Sequence, residues 1–236
     1  MRKINSLSYV DALTHVIFPN VCAHCAAEIS RFESNLCHVC WEKVLPTYFE
    51  KYKEPSPLDQ LFFGRTKLKS TYSLFHFHED NPIQSLLHGM KYKNKKKVGT
   101  YLGKLLGEKL RERHITQPFD VLMPVPIHPK KEFQRGFNQC DALCEGAASI
   151  LNIPIDKRFL KKIKNTSSQT KKSKWERWEN SLDNFYVRQQ DIAYNHLLII
   201  DDVITTGSTL ESLCNLLTKA YPHLEISVAS IAYAGT

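Results

Sequence analysis

A chain of 236 residues, 42% hydrophobic and 24% charged, has the make-up of a soluble globular protein with room for one full domain and a smaller one. It holds no run of roughly 18 or more apolar residues, which excludes a membrane-spanning helix and membrane insertion. The formal net charge is +8, yet residues 91–174 alone carry 20 Lys and Arg against 7 Asp and Glu. A basic middle beside an acidic remainder suits a polyanionic partner, phosphates or nucleic acid, the alternative being a solvated basic face.

In chain order, Ile4, Leu7, Val10, Leu13 and Ile17 recur at helical spacing and predict an amphipathic helix. Arg2 and Lys3 precede it, but Asp11 and His15 interrupt the apolar stretch and no small-residue cleavage site follows. The segment is therefore read as a helix rather than an export signal, and the location as cytoplasmic. Cys22, Cys25, Cys37 and Cys40 then form two C-x2-C turns separated by eleven residues. Each turn aims two thiolates at one tetrahedral ion, so the spacing predicts a closed, structural zinc site with no open position for catalysis. The competing reading is a pair of disulfides, which needs an oxidising compartment. His24 and His38 lie inside the two turns and are expected to be exposed rather than ligating, whereas Cys140, Cys144 and Cys214 read as buried thiols.

Residues 1–50 are thus expected as a helix plus a zinc knuckle of double zinc-ribbon type, 51–68 as a linker carrying Pro55 and Pro57, and 69–236 as the main domain. Strands are predicted at Ser70–His78, Phe119–Val125, Leu197–Ile200 and Ile226–Ala232. Helices are predicted at Pro82–Tyr92, Lys97–Arg113, Asn138–Leu151 and Ser208–Lys219, and a mobile basic loop at Lys157–Lys174. Leu197–Ile200 is apolar at every position, as a central parallel strand should be. The alternation predicts an α/β domain, a mostly parallel sheet flanked by helices.

The most specific chemistry lies between Leu197 and Leu210. A buried strand ends in Asp201 and Asp202, and a turn of Thr205, Thr206, Gly207, Ser208 and Thr209 leads directly into a helix. Such a turn gathers hydroxyls and free backbone N–H groups at the positive end of a helix dipole, a cradle for one phosphate. Gly207 is expected to let the backbone approach the anion. The acids repel phosphate and suit hydroxyls or a metal ion instead. Neither a P-loop nor a dinucleotide fingerprint is present, and the alternative is an incidental strand–turn–helix.

Ile199–Thr209 resembles the signature of type I phosphoribosyltransferases. Three further segments resemble the ComF family, ComFC- and GntX-like proteins: Met123–Lys131 followed by Arg135-Gly-Phe-Asn-Gln139; Thr166, Gln169, Arg177, Asn180 and Phe185; and the cysteine knuckle preceded by Phe18-Pro19. The resemblance implies a ligand of the phosphoribosyl pyrophosphate or ribose 5-phosphate type, with magnesium on the pyrophosphate. It assigns Asp201 and Asp202 to the ribose hydroxyls, and Val203, Ile204 and Thr205–Thr209 to the 5-phosphate loop. It assigns the pyrophosphate cleft to Pro124, Val125 and Pro126 with Lys91, Lys130, Lys131 and Arg135. Lys161, Lys162, Lys164 and Gln169 fall in the mobile loop, where the family usually shows arginines; lysine keeps the charge without the bidentate fork. No general base or base-binding hood is legible. The resemblance leaves three functions open: phosphoribosyl transfer to an unknown acceptor, single-stranded DNA binding linked to competence-machinery proteins, or sensing of the sugar phosphate. Tyr92, Phe133, Phe137, Trp175 and Trp178, set among the cations, have the composition of a single-strand groove.

Overall fold

A computed structural model describes residues 20–30, 35–92, 96–112, 119–163, 184–188 and 192–235. The helix expected before the knuckle, with Phe18 and Pro19, lies outside these residues, as do Lys164, Thr166, Gln169, Trp175, Arg177, Trp178 and Asn180. Four strands, β1 (Ser70–His76), β2 (Val121–Pro124), β5 (His196–Ile204) and β6 (Glu225–Tyr233), form one parallel sheet in the order β1-β6-β5-β2. Between β2 and β5 in sequence, β3 (Leu160–Lys162) and β4 (Phe185–Val187) pair antiparallel as a separate ribbon. The described helices are α1 (His38–Glu42), α2 (Pro57–Phe62), α3 (Pro82–Tyr92), α4 (Lys96–Glu112), α5 (Pro129–Arg135), α6 (Gln139–Leu151) and α7 (Ser208–Ala220).

The apolar run at the start of β5 has its physical cause in this order. Leu197–Ile200 lies between Val121–Pro124 of β2 and Ile226–Ala229 of β6, with every one of its four side chains buried. Each is worth at most about 1.5–3 kcal/mol of burial. β5 then continues beyond the predicted end. Asp201 pairs with Ser230, Val203 with Ala232 and Ile204 with Tyr233, so both acids belong to the strand and the turn begins only at Thr205. The stretch read as a mobile basic loop is likewise corrected in part, because Leu160–Lys162 is held by β4.

Helix α6 is set by two glycines. A Cβ on Gly103 would fall 2.1 Å from the Leu143 carbonyl oxygen, and one on Gly146 2.2 Å from that of Thr100. Only glycine permits α4 and α6 to cross this closely. The crossing fixes the start of α6, where Asn138 accepts from the Cys140 N–H (3.1 Å) and donates to the Val125 carbonyl (3.1 Å). Beyond β2, Ile155 forms a parallel bridge with Leu122. From β2 the chain therefore moves outward to Ile155, whereas from β5 it moves the other way to β6. This makes the carboxyl ends of β2 and β5 the switch point of the sheet, where a crevice opens between connections leaving in opposite directions.

The knuckle is docked on the sheet. Residues 45–47 run beside β1, with Thr47 N–H donating to Leu74 O (3.0 Å) and His76 N–H to Leu45 O (2.8 Å). Trp41 meets Phe75 and Tyr101, each at 6.3 Å between ring centroids. Where a linker was expected, α2 is capped by Ser56 and Asp59 in a reciprocal box and buries Leu58 and Phe62 in the core. Among the described residues, no helix is long and apolar enough to cross a membrane.

Candidate functional site

After Ile204 the chain turns through Thr205–Gly207 and enters α7, whose N-cap is Gly207 at φ +72°. A concavity of about 30 Å³ is lined by Asp201 and Val203–Leu210. Thr205, Thr206 and Ser208 are exposed, and the Thr206 and Ser208 hydroxyls lie 3.1 Å apart. The free N–H groups of the first turn of a 13-residue helix complete an anion-binding end. Gly207 serves this turn differently from the sequence expectation. Besides its left-handed φ, a Cβ there would sit 2.9 Å from Cε1 of Phe62 and 3.2 Å from Cδ2 of Leu61, so the bare side faces α2. Arg65 braces the turn from the same side. Its Nη1 donates to Thr206 O (2.9 Å) and Leu61 O (3.0 Å), and its Nε donates to Glu211 (3.1 Å). No motif marked Arg65; two of its partners, Thr206 and Glu211, lie far along the chain.

The two acids are not equivalent. Asp201 lines the concavity, and its Oδ1 accepts the Asp202 N–H at 2.8 Å and lies 3.6 Å from the Cys140 thiol. Burial first, and the neighbouring Asp202 carboxylate second, push Asp201 up to about 7. Asp202 is buried and does not line the concavity. Its Oδ1 accepts the Val203 N–H (2.8 Å), and its Oδ2 takes Lys91 Nζ at 2.7 Å and Gln139 Nε2 at 3.3 Å. Arg135 Nη1 donates in turn to Gln139 Oε1 (2.9 Å). Burial alone would lower Lys91; the Asp202 and Asp201 carboxylates outweigh it and raise it above its ordinary value. Gln139 and Asn138 were legible only as parts of a motif, not as contacts.

Across the crevice, β2 ends at Pro124, and the Val125 N–H donates to Ile200 O (3.0 Å). Pro126 follows, partly exposed, and α5 starts with the His128 ring accepting the Lys130 N–H (3.1 Å). Lys162 sits with its Nζ 5.1 Å from the Phe185 ring centroid. It is lowered by burial first and by the charge of Lys131 second, with Asp201 opposing. The structure brings together Asp201, Asp202, Lys91, Gln139, Arg135 and the Thr205–Thr209 turn, and the charges of Lys131 and Asp201 are felt at Lys162. Lys130 and Lys161 are exposed instead, the latter on the opposite face of β3 from Lys162. Lys157 and Lys96, part of the basic segment, share the carboxylate of Glu145 at 2.9 Å each.

The four knuckle cysteines bring their sulfurs within 4.8 Å of one another, Cys25 and Cys37 at 3.7 Å. Tetrahedral Zn–S bonds of about 2.3 Å place ligand sulfurs roughly 3.8 Å apart, so the donor set and its geometry could hold a metal such as zinc. Burial alone would raise Cys22, and N–H groups of Cys25, Cys37 and His24 bring it down. His24 Nδ1 is engaged with Ser85 Oγ (3.0 Å) and His38 Nδ1 lies 3.4 Å from Glu42, which leaves the site to the thiols.

Comparison with known proteins extends these observations. The family described as the phosphoribosyl transferase domain matches residues 142–236, a span that includes α6, both acids and the turn. Competence protein F of Haemophilus influenzae is 27% identical over 203 residues, covering 84% of this chain and 78% of that protein. DNA utilization protein YhgH of Salmonella typhimurium is 32% identical over 141 residues, 58% of this chain and 62% of that one. Competence protein ComFC of Bacillus subtilis is 33% identical over 90 residues, 38% and 35% of the two chains. The chain thus spans most of the first relative and less than two thirds of the other two.

Proposed function

We propose that this chain, similar to competence proteins F and ComFC and matching the phosphoribosyl transferase domain over residues 142–236, is a ComF-family protein that binds phosphoribosyl pyrophosphate in the service of DNA uptake or DNA use. The observation that carries the reading is the turn at Thr205–Thr209, an anion cradle at a helix N-terminus with one ionisable carboxyl, Asp201, on its rim. In this reading the turn holds the 5-phosphate and Asp201 accepts from a ribose hydroxyl. Lys131 and Lys162 screen the pyrophosphate, whose departure from the anomeric carbon builds negative charge on their side of the crevice. The chain's part in any transfer is then positioning and charge screening.

The acid pair does not form a ready metal site, because Asp202 is already engaged by Lys91 and Gln139. Magnesium accordingly enters chelated by the ligand's pyrophosphate. Zinc on the four cysteines is structural and ties the Cys22–Cys25 turn to the Cys37–Cys40 turn, in a segment that docks on β1 through residues 45–47. A cytoplasmic location keeps those thiols reduced. Calorimetric titration with ribose 5-phosphate and with phosphoribosyl pyrophosphate, with and without magnesium, tests the reading. Pyrophosphate release with candidate acceptors separates turnover from binding alone. If neither ligand binds at millimolar concentration, the assignment fails.

A second reading, single-stranded DNA binding, rests on two observations. Relatives are named for competence and DNA utilization, and Phe133, 90% exposed, stands on α5 between Lys130, Lys131 and Arg135. Its mark is an affinity that falls with salt at about 0.7 of the number of phosphate contacts on a double-logarithmic plot.

A further inference from the structure

Lys91 belongs by its charge with the cations of the pyrophosphate side, but its geometry ties it elsewhere. Its Nζ is 2.7 Å from Asp202 Oδ2, the Lys91 side chain is 26% exposed and that of Asp202 only 9%. Every oxygen of Asp202 is engaged: Oδ1 by the Val203 N–H, and Oδ2 by Lys91 and Gln139. Gln139 is itself oriented by Arg135. The result is a polar chain, Arg135–Gln139–Asp202–Lys91, that joins the end of α5 to the end of α3 across the floor of the crevice. An ionised carboxylate at that depth is tolerated only with a cation and full hydrogen bonding. Asp201, one residue away, has no such cation in hydrogen-bond contact among the described residues and lines the phosphate concavity.

We propose that Lys91 is a positioning residue: its ammonium is the resident counter-cation of Asp202, committing that carboxylate to the floor so that Asp201 alone is presented to the sugar. The acidic pair therefore divides into one structural anion and one ligand-facing carboxyl, instead of two equal ribose contacts. Lys91 acts through Asp202 and touches neither the pyrophosphate nor the sugar. This rests on the ligand proposed above, and it makes a prediction about the protein without ligand as well.

The test combines Lys91→Met, Lys91→Arg, Asp202→Asn and Lys91→Met/Asp202→Asn, read by titration and by thermal unfolding. Lys91→Met strands a buried carboxylate, so the melting temperature should fall by about 4–8 °C near neutral pH. Asp202→Asn in the same chain should recover at least half of that loss, and Lys91→Arg should keep most of the wild-type stability. In titration, Lys91→Met should weaken ribose 5-phosphate and phosphoribosyl pyrophosphate by the same factor, about tenfold, and the double variant should regain affinity for both. A Lys91→Met protein that loses only the pyrophosphate-bearing ligand, with no rescue by Asp202→Asn, would make Lys91 a direct pyrophosphate contact and overturn the proposal. If the wild type binds neither ligand, the functional reading is lost. The unfolding cycle then decides the pairing on its own: rescue in the double variant supports it, and additive losses refute it.

Discussion

Gly207→Ala separates two accounts of the same turn. If the glycine exists to let an anion approach the backbone, alanine should block the ligand and leave the fold alone. The geometry predicts the reverse emphasis. At φ +72° a Cβ carries a left-handed penalty of about 1 kcal/mol. The same atom would lie 2.9 and 3.0 Å from Cε1 and Cζ of Phe62, a ring only 2% exposed that has no solvent to swing into. Forcing α2 and α7 apart by a few tenths of an ångström adds on the order of 1–2 kcal/mol. The sum, about 2–3 kcal/mol, lowers the melting temperature of a chain this size by roughly 5–10 °C. Phe62→Leu relieves the contact, so the Gly207→Ala/Phe62→Leu double variant should lose less than the two single losses added together. Scanning calorimetry of the four proteins reads this directly. A Gly207→Ala protein that melts within a degree of wild type while losing ribose 5-phosphate affinity would refute the packing argument and restore the anion-approach one.

Four further outcomes follow from the same geometry. Asp201 is raised to about 7, so the folded chain binds more protons than the unfolded one between the ordinary carboxylate range and neutrality. Its contribution to stability is present at low pH and lost as pH rises to about 7, and the melting curve of wild type should decline relative to Asp201→Asn across that window. Arg65→Met removes donors from Thr206 O, Leu61 O and Glu211; it should cost about 2 kcal/mol by chemical denaturation and loosen the turn, weakening ribose 5-phosphate several-fold. Replacing Lys131 and Lys162 together by Met should weaken phosphoribosyl pyrophosphate at least about tenfold while changing ribose 5-phosphate little, because only the former carries the pyrophosphate charge they are proposed to screen. Metal analysis should find one zinc per chain. A chelator should also raise hydrogen exchange along β1, since residues 45–47 bond to it and Trp41 rests on Phe75.

The sequence carried the architecture wherever one residue pattern maps onto one element. Leu197–Ile200 could only be a strand buried on both faces, and the spacing of Val98, Leu102, Leu106 and Leu110 could only be a helix with one inward stripe. The phosphate turn was legible because its hydroxyls are consecutive. What escaped notice depends on partners distant in sequence. Aspartate disfavours strands, so Asp201 and Asp202 read as a strand end, yet pairing with β6 carries the strand through them to Ile204. Lys161 and Lys162 read as loop because their stretch is polar, and only β4, more than twenty residues on, makes them a strand. Gly103 and Gly146 looked like ordinary helix residues until the crossing of α4 and α6 gave each a neighbouring carbonyl. The split between Asp201 and Asp202 also needs the fold, because adjacency suggests equal roles and only Lys91 and Gln139 distinguish them.

The central claim is that Thr205–Thr209 holds a sugar phosphate, and titration of ribose 5-phosphate into wild type and into Thr206→Val/Ser208→Ala tests it most directly. Both substituted side chains are exposed and lie on the concavity, so the variant should fold as wild type does. The account predicts saturable binding to wild type and an affinity at least about tenfold weaker in the variant, the loss expected for two hydrogen bonds to a charged group. Equal affinities for the two proteins, or no binding to wild type, would contradict it.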